Sequence, residues 1–150
     1  MFRHEHRVRF AEVDAAGVMF FSRALEYCHE ALEALLDAAP GGAAGLMRER
    51  DLGTPTVHVR ADYRAPVRYG DTAVVETGVL AVGDASIRLR HRISRLSDGE
   101  VSATVEHVIV TARMSRFESV PVPPDLRALF ARHLVDRAGP RAGEPAGHCP

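Results

Sequence analysis

One carboxylate stands apart in the stretch FAEVDAAGVMFFSRALEY, residues 10–27. Asp14 follows a strand-like run and precedes two alanines, Gly17, the bulky run Val18–Phe21 and Ser22, after which a helical pattern begins. A helix N-terminus carries N–H groups without intrahelical partners and a partial positive charge. Such donors polarise a carbonyl and hold the oxyanion that forms when it is attacked. A carboxylate a few residues upstream can face that carbonyl from the other side, as nucleophile or as base towards water. Gly17 lets the backbone turn closely past a ligand, and Val18, Met19, Phe20 and Phe21 offer dry walls. No glycine-rich phosphate loop or Walker lysine is present, so hydrolysis of an activated acyl group fits better than phosphoryl chemistry. The same residues also fit a plain turn, in which Asp14 bonds its own following backbone. From the residues alone both readings stand.

The elements that must position this acid follow from periodicity. Arg7–Val13 reads as a short first strand. Ser22 is a good N-cap type, and Leu25, Cys28, Leu32, Leu35 and Leu36 then recur at helical spacing until Pro40-Gly41-Gly42 ends the run. The stripe is wide, so the helix should be largely enclosed. A short helix or turn fits residues 43–50. Beyond Gly53 the period becomes two. Val57, Val59, Ala61 and Tyr63 alternate with polar residues, Thr72–Val82 is a long strand, and Ser86–Leu96 sets Ile87, Leu89, His91 and Ile93 on one face. Asp98-Gly99 is a hairpin signal, and Val101–Arg113 returns. Pro121–Pro124 breaks the chain before a short helix over Asp125–Leu134. One strand, a long helix and four strands with tight turns predict an α+β domain with an antiparallel sheet curled around the helix. The domain should span 1–135, and the Gly/Pro/Ala-rich residues 136–150 read as a disordered tail.

Composition narrows the function classes. The chain has 150 residues, 46% of them hydrophobic, which suits one domain with a real core. Its formal net charge of -1 gives no general pull towards nucleic acid or membrane. Positive charge is carried by arginine, so an anion site would use guanidinium forks. The opening MFRHEHRVRF has no apolar core of a signal peptide, and no stretch is long and apolar enough to span a bilayer. Cys28 and Cys149 make neither a disulfide framework nor a zinc spacing. A soluble, cytoplasmic protein is the expectation.

The stretches VRFAEVDAAGVMFF and CHEALEALL, with Tyr27 between them, resemble the hotdog-fold acyl-CoA thioesterases of the 4-hydroxybenzoyl-CoA thioesterase family. There, an acid, two residues, a glycine and then bulky residues open the central helix. The resemblance runs on through VHVRADYRAPVRYGDTAVVETGV, HRISRLSDGEVSATVEHVIV and VPVPPDLRALF, and so covers nearly all of the chain except the tail. DAAGVMFF and CHEALEALL also look like the 1,4-dihydroxy-2-naphthoyl-CoA hydrolases of quinone biosynthesis, although likeness of fold does not fix a substrate. The resemblance implies a hotdog fold, an antiparallel sheet wrapped around one long central helix. It implies that Asp14 is the catalytic acid, that the Phe21 N–H polarises the carbonyl and that Gly17 lies between them. It further implies an acyl-CoA substrate with an aromatic acyl group favoured, a site between the subunits of a homodimer or homotetramer, and no metal or cofactor beyond the CoA of the substrate. Hydrolysis of an acyl-carrier-protein thioester and non-catalytic sensing of acyl-CoA are the alternatives.

Two departures from the family pattern matter. His29 stands where relatives often carry an acid, which bears on the acyl pocket. Val82-Gly83-Asp84-Ala85 replaces a basic cluster that some relatives use for the CoA phosphates. Substrate-binding expectations therefore fall on Phe20, His29, Arg64, Arg88 and Arg90. Arg88, Arg90 and Arg92 share one strand face and equally fit a solvated outer surface. His4 and His6 flank Glu5 as on an ordinary edge strand, a poor metal signal. His91 and His107 have core-face parity and read as satisfied core histidines, and Cys28 reads as a buried inert thiol.

Overall fold

The two periodicities resolve into one sheet and one long helix in a computed structural model that describes residues 1–136. In chain order the elements are β1 (Phe2–Arg7), a 3-10 turn (Phe10–Glu12), α1 (Arg23–Leu36), α2 (Gly42–Arg48), β2 (Leu52–Gly53) and β3 (Thr56–Tyr63). They continue with β4 (Thr72–Val82), β5 (Ser86–Arg95), β6 (Val101–Val110), β7 (Ala112–Arg113), β8 (Glu118–Ser119) and α3 (Pro124–Ala131). The main sheet is antiparallel in the order β1-β4-β5-β6-β3, and β2, β7 and β8 form a small second sheet. β3 and β1 are therefore the two edges. The turn between β5 and β6 forms as its Asp-Gly signal requires: Gly99 takes a positive φ of 72°, and Asp98 Oδ1 accepts the Glu100 N–H at 3.0 Å.

α1 covers one face of this sheet. It buries Ala24, Tyr27, Cys28, Ala31, Leu32, Leu35 and Leu36, its alanines letting the backbone lie close to the strands. The core beneath it falls into two apolar clusters. One sets Leu32, Leu35 and Leu36 against Val79, Ile87, Leu89, Ile109 and the α3 residues Leu126 and Phe130. The other sets Tyr27, Cys28 and Ala31 against Val67, Val75, Ile93, Ala103 and Val105. Between them the buried face carries a polar row, Thr77, His91 and His107, all buried. The chain after α3 returns to β4: the Val79 N–H donates to the His133 carbonyl and the Val135 N–H to the Val79 carbonyl. Val135 packs so near Gly78 that an added Cβ there would lie 2.7 Å from its methyl, so only glycine fits.

Four expectations change. The first strand is Phe2–Arg7, not Arg7–Val13, because the chain turns at Phe10–Glu12, where the Glu12 carboxylate accepts the Arg9 N–H at 2.8 Å. Ser22 does not cap α1: its own backbone is already helical and its hydroxyl makes no cap bond. Leu25, assigned to the buried stripe, is 38% exposed. Val57, Val59 and Tyr63 alternate as read, yet both faces of β3 are largely open, since α1 packs mainly on β1 and β4. Of the expected tail, 136–150, only Asp136 lies within the described residues. No helix among the described residues is long and apolar enough to cross a membrane.

Leu35 lies at the centre of the helix–sheet contact and is fully buried. Leu35→Ala is expected to lower unfolding stability by about 2–5 kcal/mol through lost burial and the cavity left behind, as read by urea denaturation followed by circular dichroism.

Candidate active site

Asp14 sits in a tight loop between the 3-10 turn and α1. The Gly17 N–H donates to the Asp14 carbonyl and the Asp14 N–H to the Val18 carbonyl, both at 2.9 Å. Gly17 closes the loop at φ 72°. No atom lies within 4 Å of where its Cβ would be, so backbone conformation, not a close neighbour, calls for glycine. Asp14 Oδ1 accepts the N–H groups of Ala16 at 2.8 Å and Val18 at 3.3 Å. The local turn bonding foreseen for Asp14 is thus present. It also orients the carboxylate: Oδ1 is held, while Oδ2 has no hydrogen-bond partner among the described residues and faces outward from an exposed side chain.

The segment from Val18 to Phe21 is anchored from both sides. The Met19 N–H donates to the Val67 carbonyl at 2.8 Å and the Phe20 N–H to the Glu12 carbonyl at 2.9 Å. The next N–H, that of Phe21, makes no hydrogen bond to the described residues, which leaves it as a donor at the mouth of α1. The phenol of Tyr63, from β3, donates to the Phe21 carbonyl at 2.5 Å and so holds the Phe21–Ser22 peptide, the one after the peptide that carries the Phe21 N–H. Sequence reasoning missed this clamp, because nothing local links residues 42 apart. Phe20 and Phe21 were expected as dry walls, but they are 49% and 69% exposed, so a single protomer does not enclose them.

Beneath the loop Glu12 gathers three elements. Its carboxylate accepts the Arg9 N–H, the Tyr27 hydroxyl of α1 at 2.9 Å and His6 Nε2 of β1 at 3.0 Å. His6 Nδ1 meets Glu30 of α1 at 2.8 Å, and its ring stacks on Tyr27 at 4.1 Å between centroids. Burial pushes the Glu12 carboxyl up, but the hydrogen bonds from Arg9, His6 and Tyr27 outweigh it and hold it below its ordinary value. Burial, and then the hydrogen bond to Glu12, push the Tyr27 phenol above its ordinary range. Nothing in the residue pattern signalled this junction beyond the pairing of His4 and His6 on one strand. Among the described residues no group of three or more metal-ligating side chains comes together.

A cleft of about 210 Å³ opens between α1 and the β3 edge. Leu25, Cys28, Val59 and Val105 give it apolar walls, and His29, Thr56 and His107 its polar points. His29, one of the departures from the family pattern, is thus part of the cleft wall. Burial pushes the Cys28 thiol up to about 12, which makes it inert. A larger hollow of about 560 Å³ runs along β1 past His4, Arg7, Arg9 and Glu30, but it is broad and charged, unlike an acyl slot. Arg64 extends from the end of β3 with an exposed side chain. Arg88 and Arg90 lie on the opposite sheet face from α1, and Arg90 is paired with Glu106 at 3.1 Å. The structure thus brings Asp14, Gly17, Phe20 and Phe21 into one loop and His29 to the nearby cleft, and keeps Arg88 and Arg90 apart from both.

Comparison with known proteins bears on the fold as a whole. The thioesterase-like superfamily model matches residues 8–130. A 1,4-dihydroxy-2-naphthoyl-CoA hydrolase from Synechococcus sp. strain CC9902 is 33% identical over 121 residues, which cover 77% of this chain and 81% of that protein. The crystal structure of a 1,4-dihydroxy-2-naphthoyl-CoA thioesterase from Synechocystis superposes with a TM-score of 0.79 at 25% identity, covering 87% of this chain and 95% of that one. A gentisyl-coenzyme A thioesterase superposes with a TM-score of 0.75 at 26% identity over 86% and 98% of the two chains. The hotdog architecture expected from the resemblance is therefore the one present.

A carboxyl whose folded-state value is depressed adds stability above its unfolded value, and that stability is lost as pH falls through the folded value. For Glu12 the ordinary value is 4.5, so its contribution is complete at neutral pH and fades below that. Glu12→Gln is expected to be less stable than the parent at pH 7, with the gap closing towards pH 3. Urea unfolding across that range checks it, and a gap that stays constant would contradict it.

Proposed function

This chain belongs to the thioesterase-like superfamily, and from that premise we propose that it hydrolyses an acyl-CoA thioester to the free acid and CoA, with an aromatic acyl group favoured. The observation that carries the reading is the Asp14–Phe21 loop. It presents a carboxylate with one oxygen held by two amides and the other free, and ends on an uncommitted N–H at the helix mouth. The aromatic preference is supported by the acyl groups named for the similar hydrolase and thioesterases and by the apolar walls of the cleft.

In this mechanism the thioester carbonyl lies between Asp14 and the Phe21 N–H. Donation from that N–H draws electrons towards the carbonyl oxygen and holds the negative charge that develops there. Asp14 either removes a proton from an attacking water or attacks the carbonyl itself, giving a mixed anhydride that water then opens. In both routes the C–S bond breaks, the sulfur leaves with its electron pair and takes up a proton, and the acid is released. Oxygen-18 followed through a single turnover separates the two routes, since only direct attack places label in the enzyme carboxylate. CoA enters as part of the substrate, and these groups need no metal or cofactor to act. Arg64 is the first guanidinium we assign to the CoA phosphates. Arg88 and Arg90 are the outer-face candidates, Arg90 at the cost of its bond to Glu106.

The reading includes self-association. β3 offers an unpaired edge with Val57 and Tyr63 exposed, beside the exposed Phe21 and Leu25. We assign that edge to a two-fold contact with a second copy, which would enclose the aromatic residues that one protomer leaves open; pairing of two such dimers would give a tetramer. A cytoplasmic setting completes the proposal, since acyl-CoA esters and a free Cys28 thiol both suit a reducing compartment.

Release of free thiol from a panel of aliphatic and aromatic CoA esters tests the activity. Asp14→Asn is expected to cut turnover at least about a hundredfold with unchanged circular dichroism; near-parental turnover would overturn the assignment. Separately, the parent is expected to sediment as a dimer or larger. In Val57→Glu like charges meet across the two-fold axis, so it should shift towards monomer. A parent that sediments as a monomer would refute the edge contact.

A further inference from the structure

The polar row beneath α1 is a connected chain of hydrogen bonds that ends at the cleft. Thr77 Oγ1 lies 2.9 Å from His91 Nδ1, His91 Nε2 lies 3.3 Å from His107 Nδ1, and His107 Nε2 lies 2.7 Å from Thr56 Oγ1. Thr77, His91 and His107 are buried, whereas Thr56 is exposed on the β3 edge and lines the cleft with His107. Burial, aided by the neighbouring His107, pushes His91 down to about 3. Burial, aided by His29, also holds His107 below its ordinary value. Both rings are thus neutral at physiological pH.

A neutral imidazole has one N–H and one bare nitrogen. The three contacts therefore run all one way or all the other. If His91 donates to Thr77, the Thr77 hydrogen is left without an acceptor, because among the described residues His91 is the hydroxyl's one partner. A buried hydroxyl stranded in this way is disfavoured. The other direction satisfies every group: Thr77 O–H donates to His91 Nδ1, His91 Nε2–H to His107 Nδ1, and His107 Nε2–H to Thr56 Oγ1. The one hydrogen left over is that of the Thr56 hydroxyl, at the wall of the cleft. Donors linked in series also polarise one another, which makes that last hydroxyl a better donor.

We propose that Thr56 is a specificity-determining residue of the cleft, a hydroxyl donor aimed from within the core by His107, His91 and Thr77, which favours acyl groups carrying an acceptor oxygen such as a ring hydroxyl. The proposal rests on the reading of the cleft as the acyl site. His107, His91 and Thr77 are positioning residues that act through Thr56. Cys28 and the apolar walls cannot make this distinction, since they offer no strong donor.

Two measurements test it, one of them independent of activity. Nitrogen-15 NMR of the imidazoles is expected to show His91 and His107 as Nε2–H tautomers; an Nδ1–H tautomer at His107 would reverse the chain and overturn the proposal. In the second, kcat/KM is compared for benzoyl-CoA and its 3- and 4-hydroxy derivatives. The parent is expected to prefer a hydroxylated ester, and Thr56→Val to reduce that ratio about tenfold while Thr56→Ser retains it. Thr77→Val, remote from the ligand, should reduce the same ratio about threefold by releasing the direction of the chain. Equal slowing of the unsubstituted and hydroxylated esters in Thr56→Val, with the ratio unchanged, would overturn it. If the parent cleaves aliphatic but no aryl-CoA esters, the aromatic preference fails by itself; if it cleaves no CoA ester, the thioesterase reading fails. Binding of hydroxybenzoate against benzoate to parent and Thr56→Val, followed by NMR at His107, then decides the role of Thr56: a preference lost in the variant supports it, and no preference refutes it.

Discussion

The carboxylate of Glu12 fixes where the Asp14 loop begins. β1 is an edge strand and α1 packs against it, but neither alone sets the path of the chain between them. Glu12 joins them by accepting from Arg9, His6 and Tyr27, while its own carbonyl accepts the Phe20 N–H. The seven residues that separate Glu12 from Phe20 thus leave from one point and return to it, and Asp14 and Gly17 lie inside that closed path. A catalytic group on a loop is only as well placed as the contacts at the loop's ends. Here the ends meet at a partly buried junction whose hydrogen bonds go to a charged group, the stronger kind.

The second constraint is the polar row under α1. Burying two imidazoles and a threonine hydroxyl in an apolar sheet face would cost about 1–3 kcal/mol for each group left unpaired. The chain from Thr77 to Thr56 removes that cost by satisfying each member in turn, and no buried side-chain nitrogen or oxygen among the described residues lacks a partner. The row also accounts for the divided core: apolar contacts group on either side of it because the histidines occupy the middle of β5 and β6. A sheet this size could have been filled with valine and isoleucine at those positions. Polar residues there make sense if one end of the row is used, and one end does reach the cleft.

The sequence makes some of this legible and hides the rest for physical reasons. α1 and the four strands after it show because their periods of 3.6 and 2 report which face is buried, and the Asp98-Gly99 turn shows because few residue pairs favour its geometry. Asp14 and Gly17 could be singled out because the carboxylate and the turn that holds it are contiguous, whereas the Phe21 N–H was pointed to by the family resemblance. His91 and His107 could be assigned to the core by parity, but not to each other, since that depends on strand register. The Tyr63–Phe21 clamp and the Glu12 junction are contacts between residues distant in sequence and carry no local signal. The first strand was misplaced because Val8–Val13 reads as apolar and extended, whereas the turn at Glu12 depends on partners from β1 and α1. Ser22 was misjudged because a favourable residue type before a helix does not oblige its side chain to cap it.

The exposure of the loop's aromatic residues links assembly to chemistry. An amide stabilises a developing oxyanion best where water is excluded. In one protomer Phe20 and Phe21 stand open, and so does the β3 edge beside the cleft. That surface would be a liability on a lone protomer, since an exposed strand edge with apolar side chains invites indiscriminate pairing. A second copy laid along β3 answers both problems at once: it pairs the edge and dries the mouth of α1. Tyr63 belongs to this argument as well, because it lies on β3 yet holds the Phe21 carbonyl. Tyr63 thereby ties β3 to the peptide next to the one that carries the Phe21 N–H. On the proposed dimer the edge strand would be both the joint between copies and a support of the loop's end, so the two-fold contact and the geometry of the Asp14–Phe21 loop would depend on each other.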